Sequence, residues 1–306
     1  MRARAFIITL FPLILILLLF IQPFLSDVLT AKVSIGNAKP QVTNVHVDEA
    51  HATSPDNTIQ IAAHNYRNEV WCNFTVTDNN GVSDIKTPKA NLTRVGTSQY
   101  AADDSDVHYS NNSCTYNYTV NGNTLEFRCI FWVSYWADNG TWSCNVSVPD
   151  SQTVNNSEYD RANLSGVIGI EVNESEISYG TLAVGQDSPT SVSTTIYNTG
   201  NVMIDVRVNG THMNDTPAMT NLLYVGNQTY NISMYPGAWG GTGSAQLTRS
   251  PVTVSNFNLD DRESTDGDSN PFIIVNKTLE WKIRIPSGQA SGSYSGSVQI
   301  DGVYSP

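Results

Sequence analysis

The pattern of apolar and polar positions divides the chain into an apolar leader followed by a long stretch of period-two segments. From Ala5 to Ser26 the sequence carries no charge and is mostly Leu, Ile and Phe, with Arg2 and Arg4 before it and Asp27 after it. A run of this length spans a bilayer as a helix, and the preceding positive charge holds its N-terminus on the cytoplasmic side. Residues 1–31 therefore read as a signal peptide or an uncleaved membrane anchor, with everything beyond them exported. After the leader the period changes to two. Over residues 69–77, Val70, Cys72, Phe74 and Val76 alternate with Glu69, Trp71, Asn73, Thr75 and Thr77, the signature of a strand with one buried face. Residues 141–148 repeat it, with Trp142, Cys144, Val146 and Val148 facing in. Asn121-Gly122 is a two-residue turn signal that centres a hairpin, placing Cys114 opposite Cys129, Tyr116 opposite Phe127 and Tyr118 opposite Leu125.

Further along, Ser193–Tyr197, Ile204–Val208, Phe272–Val275, Leu279–Ile285 and Ser297–Ile300 read as short strands separated by turn residues such as Asn198-Thr-Gly-Asn201. Short strands at this spacing predict an all-β chain: two tandem β-sandwich domains, Ig-like, after an apolar leader helix. The expected boundaries are 32–38 for a linker or exchangeable strand, 39–166 for a sandwich with all four cysteines, and 167–306 for a second sandwich without cysteine.

Fourteen Asn-x-Ser/Thr sequons run through the exported part, beginning at Asn73, Asn91, Asn111, Asn117, Asn139, Asn145, Asn155, Asn163, Asn173, Asn209, Asn214, Asn227, Asn231 and Asn276. This is more than twice the number that random placement of the chain's Asn, Ser and Thr would give, and none has proline in the middle position. An acceptor asparagine must lie on the surface of an exported protein, so the sequence reads as that of a glycoprotein. The net charge of −12 leaves no basic footprint for nucleic acid. No phosphate loop, nucleophile elbow or metal-spaced histidine set is present, and an enzymatic role is not expected. Calcium takes oxygen ligands from acidic loops, and Asp78, Asp84, Asp266 and Asp268 are the candidates here. Their spacing is not that of an EF-hand, and a solvated turn is the simpler reading. The run Phe131, Trp132, Tyr135, Trp136 and Trp142 raises a glycan-stacking platform as an alternative role, with Trp132 and Trp136 on the outward parity.

An even number of cysteines in an exported chain implies disulfides. The hairpin register supports Cys114–Cys129. The stretch Asp138-Asn-Gly-Thr-Trp-Ser-Cys144 resembles the Asp-x-Gly-x-Tyr-x-Cys of immunoglobulin strand F, with Trp142 in the place of the corner tyrosine. That resemblance implies an inter-sheet bridge from Cys72 to Cys144. More broadly, the segments WCNFTVTDNNGVSDI, CIFWVSYWADNGTWSCNVSV, ISYGTLAVGQDSPTSVSTTIYNTGNVMIDVRVNGT and WKIRIPSGQASGSYSGSVQI resemble N-glycosylated, Ig-like surface proteins of small-genome archaea and candidate-phylum bacteria. The resemblance implies a cell-surface location and brings no catalytic residue. The expected function is a secreted or surface-anchored structural protein that associates with like subunits as a coat or filament, with adhesion or glycan binding as the alternative. In Lys32–Asp48, Val33, Ile35, Val42, Val45 and Val47 recur among polar residues, a pattern suited to strand exchange with a neighbour or to a tether leading into the first strand.

Overall fold

A computed structural model describes residues 29–52, 56–65, 67–232, 239–260 and 275–305. The leader through residue 28 and the calcium candidates Asp266 and Asp268 lie outside the described residues. The chain divides into two units, residues 1–37 and residues 38–306. In the first, residues 29–37 form no strand. The second is all-β, and its one helical turn among the described residues is a 3-10 turn at Val225–Asn227.

The first sandwich is built from Gln41–Glu49 (β1), Thr58–Ile59 (β2), Asn68–Thr77 (β3), Lys89–Arg94 (β4), His108–Asn111 (β5), Thr115–Asn121 (β6), Thr124–Val133 (β7), Gly140–Pro149 (β8) and Asn155–Leu164 (β9). One sheet runs β1-β3-β7-β6 and the other β2-β9-β8-β4-β5. Alternation dictates which side chains meet between them. Val70, Cys72, Phe74 and Val76 of β3 are at most 1 % exposed, and so are Trp142, Cys144, Val146 and Val148 of β8. Burying each such side chain stabilises by roughly 1.5–3 kcal/mol. In a regular strand Val42 and Val47 would face opposite ways. A register shift between Thr43 and His46 puts both inside, and Asn44 takes the positive φ of 53° that the bulge needs. Residues from Gln41 on are thus the sandwich's own first strand, and only the part before them is left as a linker.

The second sandwich comprises Ile170–Val172 (β10), Val192–Asn198 (β11), Ile204–Gly210 (β12), Met213–Thr216 (β13), Leu222–Leu223 (β14), Gln228–Asn231 (β15), Ala245–Gln246 (β16), Val252–Thr253 (β17), Asn276–Ile283 (β18), Ser293–Ser295 (β19) and Val298–Tyr304 (β20). One face is the sheet β10-β11-β18-β15-β16; the other is made of the smaller sheets β17-β12-β20 and β14-β13-β19. Its core holds Ile196, Val206, Phe257, Leu279 and Trp281, all fully buried. No disulfide crosses this core. Its central Trp281 donates its indole N–H to the Thr194 hydroxyl at 2.9 Å, so the largest side chain is buried without an orphaned donor.

Asn201 joins the two sandwiches. Its amide nitrogen donates to the Ala137 carbonyl at 2.9 Å and the Ser165 carbonyl at 3.2 Å, and its side-chain oxygen accepts from the Val167 N–H at 2.6 Å. The His64 N–H donates to the Thr199 carbonyl alongside, at 2.8 Å. The backbones approach so closely that a Cβ on Gly200 would sit 2.0 Å from the Val167 carbonyl oxygen, which only glycine avoids.

Candidate functional site

The inward cysteines of β3 and β8 are bonded to each other, Cys72 to Cys144, linking the two sheets of the first sandwich. Cys114 is bonded to Cys129. Beside that second bridge the register matches the hairpin expectation, since Thr115 pairs with Arg128 and Tyr116 with Phe127. Two irregularities in β6 then shift it, so that Tyr118 faces Glu126 rather than Leu125 and the turn falls one residue later, at Gly122-Asn123. Trp142 stands where immunoglobulin strand F has its corner tyrosine. Its indole N–H donates to the Asp138 carbonyl at 2.8 Å, supplying the bond back to upstream backbone that the tyrosine would make.

The sequon asparagines separate by exposure. Asn117, Asn139, Asn155, Asn163, Asn173 and Asn276 are exposed. Asn73, Asn91, Asn111, Asn145, Asn209, Asn214 and Asn227 are half-buried. Asn111 also uses its amide nitrogen within the fold, donating to the Ile130 carbonyl at 2.9 Å. Asn231 is only 4 % exposed, in a strand hydrogen-bonded on both sides by β16 and β18, so its amide is shielded once the chain has folded.

The aromatic run distributes differently from its parity. Phe131 and Tyr135 are buried. Trp136 is also buried, at 5 % exposure, and donates to the Ser105 hydroxyl at 3.0 Å. It falls beyond the end of β7, where strand alternation no longer applies. Trp132 remains exposed, and the Arg67 guanidinium lies over its ring at 4.7 Å. Trp71, on the same outer face, is covered by Arg128 at 3.6 Å. Arg128 also donates to the Asn73 side-chain oxygen at 2.8 Å. Each of the two indole rings thus carries a cation over one face.

Asp78 and Asp84 shape turns. Asp78 is fully buried and accepts the Asn80 N–H at 2.7 Å, while Asp84 accepts from the Ser151 N–H and hydroxyl. Among the described residues no three His, Cys, Asp or Glu side chains are grouped to hold a metal. The histidines are engaged singly: His46 lies 3.4 Å from both Asp48 and Asp160, and His108, buried, 3.2 Å from Asp103.

The most distinctive surface belongs to the second sandwich. β20 pairs with β12 on one side only, and among the described residues its outer edge has no neighbour. The Ser305 N–H bonds to Met203, and Ser297 accepts from Thr211, which fixes the phase of the antiparallel ladder. Odd-numbered residues from 297 to 305 therefore point their backbone groups at β12, and Val298, Ile300, Gly302 and Tyr304 point theirs outward. Beside this edge runs a groove of about 550 Å³, lined by Val172, Ile177, Tyr294, Val298 and Ile300 with Glu174 and Glu176 among its acidic residues. Near Gly302 the opposite wall closes in, because a Cβ there would stand 2.7 Å from Ile170. Burial opposes ionisation of Glu174, but hydrogen bonds from the Thr195 N–H, the Asn173 amide and the Thr195 hydroxyl outweigh it and hold its carboxyl below the ordinary range. Sequence reasoning missed this site. The alternation at Ser297–Ile300 marks a strand but says nothing about which edge is left open.

No protein-family model matches the chain, and no curated protein matches it in sequence. Among solved structures it is similar to one described as a chaperone-tip adhesin complex of CFA/I fimbriae biogenesis, at 10% identity and a TM-score of 0.32, covering 87% of this chain and 84% of that one. A CsuC–CsuE chaperone-tip subunit pre-assembly complex of Acinetobacter baumannii Csu pili gives 11% identity and a TM-score of 0.36, covering 81% and 97%. BcpA, the major pilin subunit of Bacillus cereus, gives 8% identity and a TM-score of 0.27, covering 81% and 67%. These scores are too low to establish a shared fold.

Proposed function

We propose that the chain is an exported, N-glycosylated structural protein that associates with like subunits at the cell surface, as a coat or as a filament, and has no catalytic role. The observation that carries this reading is the unpaired outer edge of β20 beside a groove lined by both apolar and polar side chains. An open edge flanked by apolar side chains pairs with further strands, and proteins that stay monomeric usually blunt such edges. Two disulfides within one sandwich fit an oxidising, extracellular compartment. Six exposed acceptor asparagines fit a glycan-bearing exterior. The tight junction at Asn201 and Gly200 suits a subunit that transmits force through both sandwiches.

The test is the state of the native, glycosylated protein. Negative-stain imaging and analytical ultracentrifugation across a concentration series should show ordered assemblies with a constant repeat. A strictly monomeric protein up to the solubility limit would refute the reading.

A further inference from the structure

We propose that the groove beside β20 receives residues 29–36 of a second copy, which enter as an added strand. The inference rests on the self-association reading and names its contact.

Three observations converge. The outward backbone groups of Val298 and Ile300 have no partner among the described residues and lie where the groove is open, before its wall closes near Gly302. The groove's apolar side chains, Val172, Ile177, Val298 and Ile300 among them, would contact one face of an incoming strand. The segment at residues 29–36 has the matching alternation, with Leu29, Ala31, Val33 and Ile35 on one parity and Thr30, Lys32, Ser34 and Gly36 on the other. It forms no strand itself, and Leu29, Val33 and Ile35 are 91%, 88% and 84% exposed. Apolar side chains so fully exposed at strict period two make a strand that lacks a sheet. The segment's single charge, Lys32, falls on the opposite parity and points away from the groove.

Length fits too. Six residues of extended chain span about 20 Å, and the lining of the groove along its β20 side runs from Tyr294 to Ile300. The added strand would gain main-chain hydrogen bonds from Val298 and Ile300 and place Val33 and Ile35 against the groove, where pockets for alternate side chains fix register.

Hydrogen exchange of the full chain in detergent, followed over about a hundredfold range of concentration, tests this directly. The amides of Val298 and Ile300 should slow by about tenfold or more as concentration rises, because exchange then requires the added strand to leave. Val33→Asp with Ile35→Asp should abolish the slowing while the disulfides and melting temperature stay unchanged. A synthetic peptide of residues 29–37 added to that variant should restore it. Val298→Pro removes an outward N–H and trims a side chain packed partly against the core, so it should keep the fold at a modest loss of stability and abolish both association and the peptide's protection of Ile300. Assemblies that form with no change in exchange at Val298 and Ile300 would overturn this proposal and leave the self-association reading intact. Slowing that does not depend on concentration would also overturn it. Absence of both assembly and slowing would remove the two readings together.

Discussion

Replacing Asn201 by alanine removes the amide that ties the first sandwich to the second. Asn201 is 1 % exposed, and its partners lose three hydrogen bonds at once. The Ala137 carbonyl is buried, and leaving it without a donor costs about 1–3 kcal/mol. The Ser165 carbonyl and Val167 N–H are half-buried and recover part of their hydrogen bonding from water, so each adds about 0.5–1.5 kcal/mol. The total is about 2–6 kcal/mol. At about 2–4 °C per kcal/mol for a folded unit of this size, melting should fall by about 4–24 °C. The effect should also be one of coupling. Scanning calorimetry should show the ratio of calorimetric to van't Hoff enthalpy rising, as the two sandwiches begin to melt separately. A variant that melts within about 2 °C of the parent, with an unchanged enthalpy ratio, would show that the junction is held by packing and that Asn201 is incidental to it.

Cys114→Ser with Cys129→Ser opens a loop of 15 residues and should cost about 3 kcal/mol; Cys72→Ser with Cys144→Ser opens one of 72 and should cost about 4 kcal/mol. Denaturant titration of each variant measures this, and a larger loss for the short loop would refute the loop-entropy argument. Glycopeptide mass spectrometry should find sugar on Asn117, Asn139, Asn155, Asn163 and Asn276 and none on Asn231, which is buried; a modified Asn231 in folded protein would require β15 to open. Because folding lowers the pKa of Glu174, its hold on Thr195 is full above the ordinary glutamate range and is lost as pH falls through the lowered value. The Thr195 amide resonance should therefore move upfield with acid, with a midpoint below that of an unstructured glutamate, and should stay fixed in Glu174→Ala.

Period-two alternation made β3 and β8 legible in the sequence, because their apolar residues meet one shared core and each strand stays regular for its whole length. The all-β architecture followed from repeating that pattern between turn residues. Alternation failed where the backbone left regular geometry. The two shifts in β6 displaced the Asn121-Gly122 turn, and Trp136 turned inward after β7 had ended. Asn201 was unreadable for another reason. Its segment looks like an ordinary turn, and the carbonyls it satisfies belong to residues 64 and 36 positions away. The open edge of β20 was hidden likewise, since an edge is a property of the assembled sheet and leaves no mark on the strand.

Sequons fall on some of the sheet edges and are missing from β20. Among the outermost strands of the first sandwich's sheets, β6 contains Asn117 and β5 contains Asn111, while β1 contains none. β9, beside the two-residue edge strand β2, contains Asn155 and Asn163. A glycan on or beside an edge is a bulky, hydrated guard against pairing with another chain, the same purpose that charge and proline serve elsewhere. After Asn276 the sequence has no further sequon, so β20 carries none. Asn173 follows β10 and is not among the residues that line the groove. The chain therefore places acceptors on or beside three of the four edges of its first sandwich and leaves bare the β20 edge beside the groove. Moving a sequon onto that edge, with Gln299→Asn and Asp301→Thr, should block assembly in a glycosylating host and leave it intact when the same variant is made without glycans. Assembly undiminished by an occupied site at residue 299 would exclude the β20 edge as the contact.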